Sequence, residues 1–183
     1  MSRIPIPATI EAAPPASQPL LHAVKAQLGV APNLFRMVAN SPAALEGYVG
    51  MFAALGKGQL PAPTRERIAL AVAELNGCDY CLSAHTYLGR EVAKLDDAEM
   101  IANRNGGSND IRADAAVRFA VRVARNRGRV TDEDFRAVKA AGYDDAQIIE
   151  IVQHVALNTW TNYINTVVNT SIDFPVVTSR RAA

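Results

Sequence analysis

The sequence lacks most of the features that mark secreted, membrane-spanning or nucleic-acid-binding proteins. Only two of its 183 residues are cysteines, so a framework of several disulfides is excluded. The formal net charge is +1, which is too small to attract nucleic acid or an anionic surface. No apolar run reaches the roughly 18 residues that a spanning helix needs, and the N-terminal stretch lacks the apolar core of a signal peptide. We therefore expect a soluble, cytoplasmic protein without nucleic-acid or membrane partners.

Aromatic residues are also scarce, at 6%, although 49% of the residues are hydrophobic. This size and composition are typical of one compact domain with an aliphatic, alanine-rich core. No segment alternates apolar and polar residues between hairpin turns, so we predict an all-α fold of about seven to nine helices. The prolines in residues 1–17 predict an extended arm. Residues 18–175 then form the helical domain, and residues 176–183 form a C-terminal tail.

Capping residues, prolines and glycines predict the helix boundaries. A helix is expected between Ser17 as N-cap and Gly29 as its end, followed by a short segment over residues 34–39. Asn76-Gly77 is typical of a helix ending, so Cys78 should begin a new helix. Further helices are expected to begin near Pro42, Pro63, Asp96, Ile111, Thr131 and Ala146, with capping boxes at Asp96–Glu99 and Asp144–Gln147 and the last helix running to Asn169.

The two cysteines form a CxxC pair at the start of one predicted helix. Positions three apart on a helix share a face, so Cys78 and Cys81 can cycle between dithiol and disulfide. Unpaired N–H groups in the first helical turn favour the thiolate form. Asp79 works against this effect, because its carboxylate disfavours a second negative charge nearby. We therefore expect only a moderate fall in thiol pKa.

A histidine and a glutamate lie at fixed distances from this pair. His85 follows Cys81 by four residues, about one helical turn, so its imidazole should reach Cys81 more readily than Cys78 and accept the thiol proton. Glu66 lies on the preceding helix, which can fold back and bring its carboxylate near His85 or Cys81. This arrangement is typical of an activated nucleophile, its base and a third group that orients the base.

At these residues the sequence resembles the alkylhydroperoxidase D-like branch of the carboxymuconolactone decarboxylase-like superfamily. The family motif is a glutamate, a CxxC twelve residues later and a histidine four after the second cysteine, and all four positions match. The segments PNLFRMVANSP, VTDEDF, AAGYDDAQIIEIV and HVALNTWTNY look like the peroxidase-related subgroup. The resemblance implies an all-helical fold, assembly into trimers or hexamers, and no metal or organic cofactor. It also implies reduction of hydroperoxides, with a dithiol such as a lipoyl-protein or a thioredoxin-like carrier as the electron donor.

The family's roles can be carried over to individual residues. The resemblance implies that Cys81 attacks the peroxide, that Cys78 resolves the sulfenic acid as a disulfide, and that His85 and Glu66 relay the proton. Between the cysteines, where a second histidine is often found, this chain has Tyr80. A tyrosine stays protonated near neutral pH, so Tyr80 is a possible site neighbour that donates a hydrogen bond but is a poor base.

Other interpretations of the motif stay open. The cysteines can be small buried residues without redox importance, or zinc ligands together with His85 and either His22 or His154. A lactone decarboxylase of the kind that names the superfamily is an alternative enzyme. A non-catalytic redox sensor or oligomeric binding protein is an alternative of another class.

The last predicted helix carries a stripe of polar residues on one face. They lie within an arc of roughly 80° and comprise His154, Asn158, Asn162, Asn165 and Asn169. We interpret the stripe as facing solvent or another subunit, and Glu150 with His154 as a surface pair. In the alternative, the stripe lines the approach to the cysteines, which makes Asn162 a second possible site neighbour.

Overall fold

The computed structural model describes residues 2–180, and this range contains helices but no β-strand. The all-α prediction is therefore confirmed. Residue 1 of the predicted arm and residues 181–183 of the predicted tail lie outside the described residues. Within residues 2–180, a 3-10 helix (Pro15–Ser17) is followed by nine α-helices: α1 (Gln18–Leu28), α2 (Asn33–Val38), α3 (Pro42–Gly56), α4 (Ala62–Leu75), α5 (Asp79–Glu91), α6 (Asp97–Arg104), α7 (Ile111–Arg125), α8 (Asp132–Ala140) and α9 (Asp145–Val168).

Helix α4 lies at the centre of the fold. It contacts α5, α6, α7 and α9, and every residue from 68 to 73 is buried. Alanine at positions 69, 71 and 73 allows neighbouring helices to approach closely on several sides. One hydrophobic cluster joins α4 to α1, α2, α3 and α5, and a second joins it to α7, α8 and α9. The helix that carries Glu66 is therefore held from all sides.

The residues before α1 and after α9 pack on the helices without forming long helices themselves. Ile10 and Ala13 are buried, and the Arg3 amide donates a hydrogen bond to the carbonyl of Val168 at 2.7 Å. Residues 170–180 run across α5, where the Val177 amide donates to the hydroxyl of Ser83 at 2.9 Å. The division into arm, domain and tail stays a prediction.

Most predicted helix ends agree with the structure. Thr131 and Asp144 cap α8 and α9, each with a complete capping box. Ser17 is an exception, because its hydroxyl donates to the carbonyl of Ala39 at 2.7 Å and does not cap α1. Asp96 caps α6, but the carboxylate of Glu99 accepts hydrogen bonds from other side chains, so this capping box is only half formed.

Helix α9, with 24 residues, is the longest of the described helices. Most of its polar stripe is buried, and its apolar face is exposed. Among residues 2–180, no helix is both long and apolar enough to cross a membrane.

Candidate active site

A sharp turn between α4 and α5 positions the first cysteine. Gly77 has a φ of 66°, a left-handed conformation that glycine adopts without a side-chain clash. Cys78 is extended and is the N-cap of α5, where its sulfur accepts a hydrogen bond from the Cys81 amide at 3.3 Å. The helix break predicted at Asn76-Gly77 is therefore confirmed.

The two thiols are in direct contact inside the protein. Cys78 Sγ and Cys81 Sγ are 2.7 Å apart, and both residues are free cysteines. Their relative exposures are only 2% and 3%. A pair held this close can convert to a disulfide with little movement of the backbone.

His85 and Glu66 form an ion pair beside the thiols. His85 Nδ1 lies 2.8 Å from Glu66 Oε2, and both side chains are about one-fifth exposed. The carboxylate thus holds one ring nitrogen and fixes the orientation of the imidazole. Helices α4 and α5 pack together and bring the two residues into contact across 19 positions of sequence.

The surroundings of Cys81 favour its thiolate. Burial by itself raises the pKa of Cys81, but the hydrogen bond from Cys78, the charge of His85 and the amides of Asn162 and Asn165 outweigh burial and lower it to about 7. A substantial fraction of Cys81 is therefore ionised near neutral pH.

The same surroundings keep Cys78 protonated. Its thiol donates to Cys81, and this hydrogen bond together with burial raises the pKa of Cys78. Burial opposes protonation of His85, but the charge and hydrogen bond of Glu66 and the charge of Cys81 outweigh it and raise the pKa of the imidazole. The site thus combines a thiol biased towards its ionised form, a thiol biased towards its protonated form, and an imidazole whose cationic form is favoured.

Helix α9 faces this site with its polar stripe. Asn165 Nδ2 donates to Cys81 Sγ at 3.4 Å, and Asn162 Oδ1 accepts from Asn76 Nδ2 at 2.9 Å. Asn162, Asn165, Asn158 and His154 are buried and Asn169 is exposed, so the preferred prediction of a solvent-facing or intersubunit stripe is wrong for four of its five residues. The alternative, a lining at the cysteines, describes the positions of Asn162 and Asn165.

The predicted surface pair of Glu150 and His154 is also wrong. Glu150 accepts hydrogen bonds from the amides of Gln59 and Leu60 at 2.9 and 3.0 Å. His154 is buried, and its Nε2 has no hydrogen-bond partner among the described residues. Burial, aided by the charge of Arg65, lowers the pKa of His154 to about 4, so this imidazole is neutral.

Asp79 and Tyr80, the residues between the cysteines, contact the C-terminal segment. Asp79 Oδ1 accepts hydrogen bonds from the amide and the hydroxyl of Ser179, both at 2.8 Å. The hydroxyl of Tyr80 donates to Asp173 Oδ1 at 2.8 Å and accepts from the Leu34 amide at 3.0 Å. Tyr80 is thus a donor, as expected, but it holds residues 170–180 and hydrogen-bonds neither thiol.

A cleft gives access to the Cys78 side of the pair. It has a volume of about 350 Å³ and lies between the N-terminus of α5 and the C-terminal end of α9. Its wall is mostly polar and includes Cys78, Asp79, Asn165, Thr166 and Ser171. A molecule in this cleft would meet Cys78 before Cys81.

Aromatic rings pack in the same hydrophobic cluster as Cys81. Burial and then the charge of Cys81 raise the pKa of Tyr48, which indicates that the phenol lies near this sulfur. The ring of Tyr48 packs against Phe35 at 5.0 Å and Trp160 at 5.1 Å between centroids. Phe52 completes the group at 6.3 Å from Tyr48.

Comparison with known proteins assigns the central part of the chain to a family. Residues 42–126, which extend from α3 to the end of α7 and include Glu66, the CxxC pair and His85, match the model of the Carboxymuconolactone decarboxylase family. Over this segment the chain is similar to that family. No curated protein matches the whole sequence significantly.

Solved structures of family-like proteins share the fold. An uncharacterized peroxidase-related protein from Ralstonia eutropha JMP134, described as an alkylhydroperoxidase AhpD core, has a TM-score of 0.83 at 24% identity, covering 94% of this chain and 92% of its own. An uncharacterized peroxidase-related protein from Silicibacter sp. TM1040 has a TM-score of 0.80 at 23% identity, covering 93% and 91%. The debrominase Bmp8 has a TM-score of 0.72 at 21% identity, covering 87% of both chains. The alkylhydroperoxidase D-like fold predicted from the motif is therefore confirmed.

The geometry of the described residues does not support a zinc site at the cysteines. Within residues 2–180, no three His, Cys, Asp or Glu side chains converge to hold a metal ion. His22 is exposed on α1, and His154 is buried on α9.

The structure brings together the four residues predicted for the site and adds others. They form two contacting pairs, Cys78 with Cys81 and His85 with Glu66, and the charge of His85 acts on Cys81. Asn165 was predicted near the cysteines only in the alternative interpretation of the polar stripe. Tyr48 was not predicted as a neighbour of Cys81, because it lies in α3, where its spacing gives no such signal.

Proposed function

We propose that this protein is a thiol-dependent peroxidase that reduces organic hydroperoxides or hydrogen peroxide. The proposal rests on two thiols that are in contact and whose pKa values are shifted in opposite directions. The pKa of Cys81 is lowered to about 7, and that of Cys78 is raised. A nucleophile must be ionised when it attacks, and a resolving thiol is needed only afterwards.

In the proposed reaction, the Cys81 thiolate attacks one peroxide oxygen. The S–O bond forms as the O–O bond breaks, the sulfur loses two electrons, and the leaving oxygen takes a proton from His85. Cys78 then attacks the sulfenic acid and releases water as the disulfide forms. Glu66 holds the imidazole in position throughout. A dithiol donor, such as a lipoyl-protein or a thioredoxin-like carrier, would enter the polar cleft and reduce the disulfide at Cys78.

The decisive test replaces the attacking thiol. Cys81→Ser should abolish dithiol-dependent consumption of tert-butyl hydroperoxide, because an alcohol is a far weaker nucleophile. Cys78→Ser should still form one sulfenic acid per chain, which a dimedone adduct detected by mass spectrometry would show. Unchanged turnover in Cys81→Ser would refute the mechanism.

The same assays separate the alternatives of other classes. A redox sensor would react once with peroxide and change its assembly without multiple turnover. A lactone decarboxylase would keep its activity in the double variant Cys78→Ser/Cys81→Ser, because that reaction does not need the thiols.

A second candidate reaction is reductive debromination of a small aromatic ring. The specific observation in its favour is the aromatic group of Tyr48, Phe35, Phe52 and Trp160 beside Cys81. A cysteine-to-alanine variant of the fold neighbour Bmp8 has been crystallised with 2,3,4-tribromopyrrole. Two thiols can supply the two electrons and two protons that convert a C–Br bond into C–H and HBr. Bromide release from 2,3,4-tribromopyrrole by the reduced protein, and its loss in Cys81→Ser, would establish this reaction.

We further propose that the protein forms a homo-oligomer through α9, consistent with the trimers or hexamers implied by the resemblance. The outer face of this helix is apolar, with Ile149, Val152, Trp160, Tyr163 and Val167 between 38% and 66% exposed. These residues follow one another at intervals of three to eight positions and share one face. Because the face carries no charge, copies of this chain can pack on it without repulsion. Light scattering after gel filtration should show more than one chain per particle, and Tyr163→Glu should reduce that number; a wild-type monomer would refute the proposal.

A further inference from the structure

Two buried amide side chains of α9 act on the sulfur of Cys81. Asn162 is 0% exposed and Asn165 is 3% exposed. Asn165 Nδ2 donates to Cys81 Sγ at 3.4 Å, which is within hydrogen-bonding distance for sulfur. Both amides also favour the charged form of Cys81.

Asn162 is oriented by a third asparagine. Its Oδ1 accepts from Asn76 Nδ2 at 2.9 Å, which fixes the orientation of the amide and leaves its own Nδ2 outside that hydrogen bond. This Nδ2 is buried and completes no hydrogen bond among the described residues, although it lies near enough to Cys81 to favour the thiolate. A buried donor without a partner is unfavourable in a resting protein, so its presence calls for an explanation.

Amide donors suit a site in which negative charge moves from one atom to another. They do not titrate, and fixed dipoles stabilise a developing charge without having to reorganise. The titratable groups that act on Cys81 are Cys78 at the N-cap of α5, His85 of α5 and Tyr48 of α3, whereas α9 contributes amides. Glu66 raises the pKa of His85, and the charge of His85 helps to lower the pKa of His154.

We propose that Asn162 and Asn165 form an anion hole for the reaction at Cys81. Asn165 stabilises the thiolate before attack, and Asn162 donates to the peroxide oxygen that becomes negative as the O–O bond breaks. That oxygen leaves with the proton of His85, and the electron pair of the thiolate forms the S–O bond. Asn76 is a positioning residue, because it acts through Asn162. The role of Asn162 towards oxygen rests on the proposed peroxidase function.

The test uses full-length protein in a Cys78→Ser background, where Cys81 is the only thiol. Asn165→Leu and Asn162→Leu remove each amide at nearly constant volume. Asn158→Leu is the matched control, since Asn158 is a buried asparagine on the same helix that donates to the backbone carbonyl of His154. Two rates are measured across pH: alkylation of Cys81 by iodoacetamide, and formation of the sulfenic acid with tert-butyl hydroperoxide.

Each amide has its own expected result. Asn165→Leu should move the midpoint of the alkylation profile to higher pH by about one unit, because a hydrogen bond to the thiolate is lost. Asn162→Leu should slow sulfenic acid formation about 100-fold at a pH where the thiol is fully ionised, because the donor to the leaving oxygen is lost. Asn158→Leu should match the parent in both rates. A profile that coincides with the control overturns the assignment of that amide.

Further variants exclude a simple loss of folding. Asn162→Asp and Asn165→Asp keep the shape of the side chain but replace the donor by an acceptor, so they should impair the same two rates at least as strongly. Asn76→Ala should slow the peroxide reaction only while Asn162 is present, and an effect that persists in Asn162→Leu overturns its positioning role. If the parent reacts with iodoacetamide but with no hydroperoxide, the peroxidase function and the oxygen role of Asn162 both fail, and the alkylation profile alone decides the thiolate role of Asn165.

Discussion

Two buried polar centres lie on different sides of α4, and they satisfy their hydrogen bonds differently. Around Glu99, the carboxylate accepts from Arg67 Nε at 2.7 Å, Asn103 Nδ2 at 2.8 Å, Ser108 Oγ at 2.5 Å and the Asn109 amide at 2.8 Å. Both carboxylate oxygens are engaged, although Asn103 Oδ1 is left without a partner. This centre joins α4, α6 and the loop before α7.

The centre around Cys81 is incomplete by comparison. Three buried polar atoms on α9 have no partner among the described residues: His154 Nε2, Asn162 Nδ2 and Asn165 Oδ1. The difference teaches how to separate structural from reactive polar clusters when both are buried. A saturated carboxylate network holds helices together, whereas a donor held in place without a partner, such as Asn162 Nδ2, is ready to bind a group that arrives during a reaction.

The largest effect on stability should come from the saturated centre. Glu99→Gln leaves the Arg67 guanidinium buried beside a neutral amide, which should lower the free energy of unfolding by about 3 kcal/mol. Urea unfolding would measure the loss. Peroxide turnover per folded molecule should stay unchanged, and Asp97→Asn, at an exposed ion pair on the same helix, should barely alter either quantity. A fall in turnover equal to that of a site variant would remove the distinction between the centres.

The contribution of Glu99 should also depend on pH. Burial opposes its ionisation, but hydrogen bonds from Ser108, Asn103 and Asn109 outweigh burial and lower the pKa of Glu99 from 4.5 to about 2. A lowered pKa stabilises the fold above the unfolded value, so this stabilisation should be lost as the pH falls from about 4.5 towards about 2. Glu99→Gln should lack this part of the acid dependence, and identical acid profiles would contradict the argument.

At the reactive centre we expect a smaller effect, and one on peroxide turnover rather than on stability. Glu66→Gln removes the carboxylate that holds His85, so peroxide turnover should fall about 10- to 100-fold. Glu74→Gln is the matched control, because Glu74 lies on the same helix but forms its ion pair with Arg104. The distance from Arg104 Nε to Glu74 Oε2 is 2.6 Å. Turnover in Glu66→Gln equal to that of the control would mean that the ion pair has no catalytic role.

The stability of Glu66→Gln should change in one pH range only. The raised pKa of His85 stabilises the folded protein fully below the ordinary value of 6.5, and this stabilisation is lost as the pH rises through the raised pKa. The variant should therefore be less stable than the wild type mainly in acid. A loss of stability confined to alkaline pH would contradict this sign.

Local sequence rules predicted the fold class, most helix ends and the placement of Cys78, Cys81 and His85 on one helix. Those features depend on neighbours within one or two helical turns, such as Gly77 after α4 or His85 one turn beyond Cys81. Glu66 lies on another helix, and it was predicted from the motif and from the expectation that α4 folds back on α5. The orientation of α9 was predicted wrongly because a polar stripe normally faces water. Here the stripe supplies amides to a buried thiolate, and the apolar face is exposed in the single chain.

Contacts between distant parts of the chain were beyond those rules. Ser179 lies 100 positions after Asp79, and Asp173 lies 93 positions after Tyr80. Neither pairing has a local sequence signal, so the roles of Asp79 and Tyr80 were predicted only from their positions between the cysteines. The structure shows that their side chains hold the C-terminal segment, which changes what Asp79 is expected to do.

The smallest expected effect tests that change at Asp79. Its Oδ1 accepts two hydrogen bonds from Ser179, and the pKa of Cys81 is lowered despite the nearby carboxylate. Asp79→Asn in the Cys78→Ser background should therefore shift the alkylation midpoint of Cys81 by less than about half a unit. Hydrogen exchange at residues 177–179 should become faster, because an amide oxygen accepts less strongly than a carboxylate.

Ser179→Ala separates the two roles of Asp79, since it weakens the same contact and leaves the charge in place. If Asp79 acts mainly through the C-terminal segment, both variants should speed exchange there and leave Cys81 nearly unchanged. A fall of a full unit in the Cys81 midpoint in Asp79→Asn, but not in Ser179→Ala, would show instead that the carboxylate opposes the thiolate directly. The centre around Cys81 would then include the Asp79 carboxylate, which disfavours the Cys81 thiolate. The difference between this centre and the one around Glu99 would then depend only on the unpartnered polar atoms of α9.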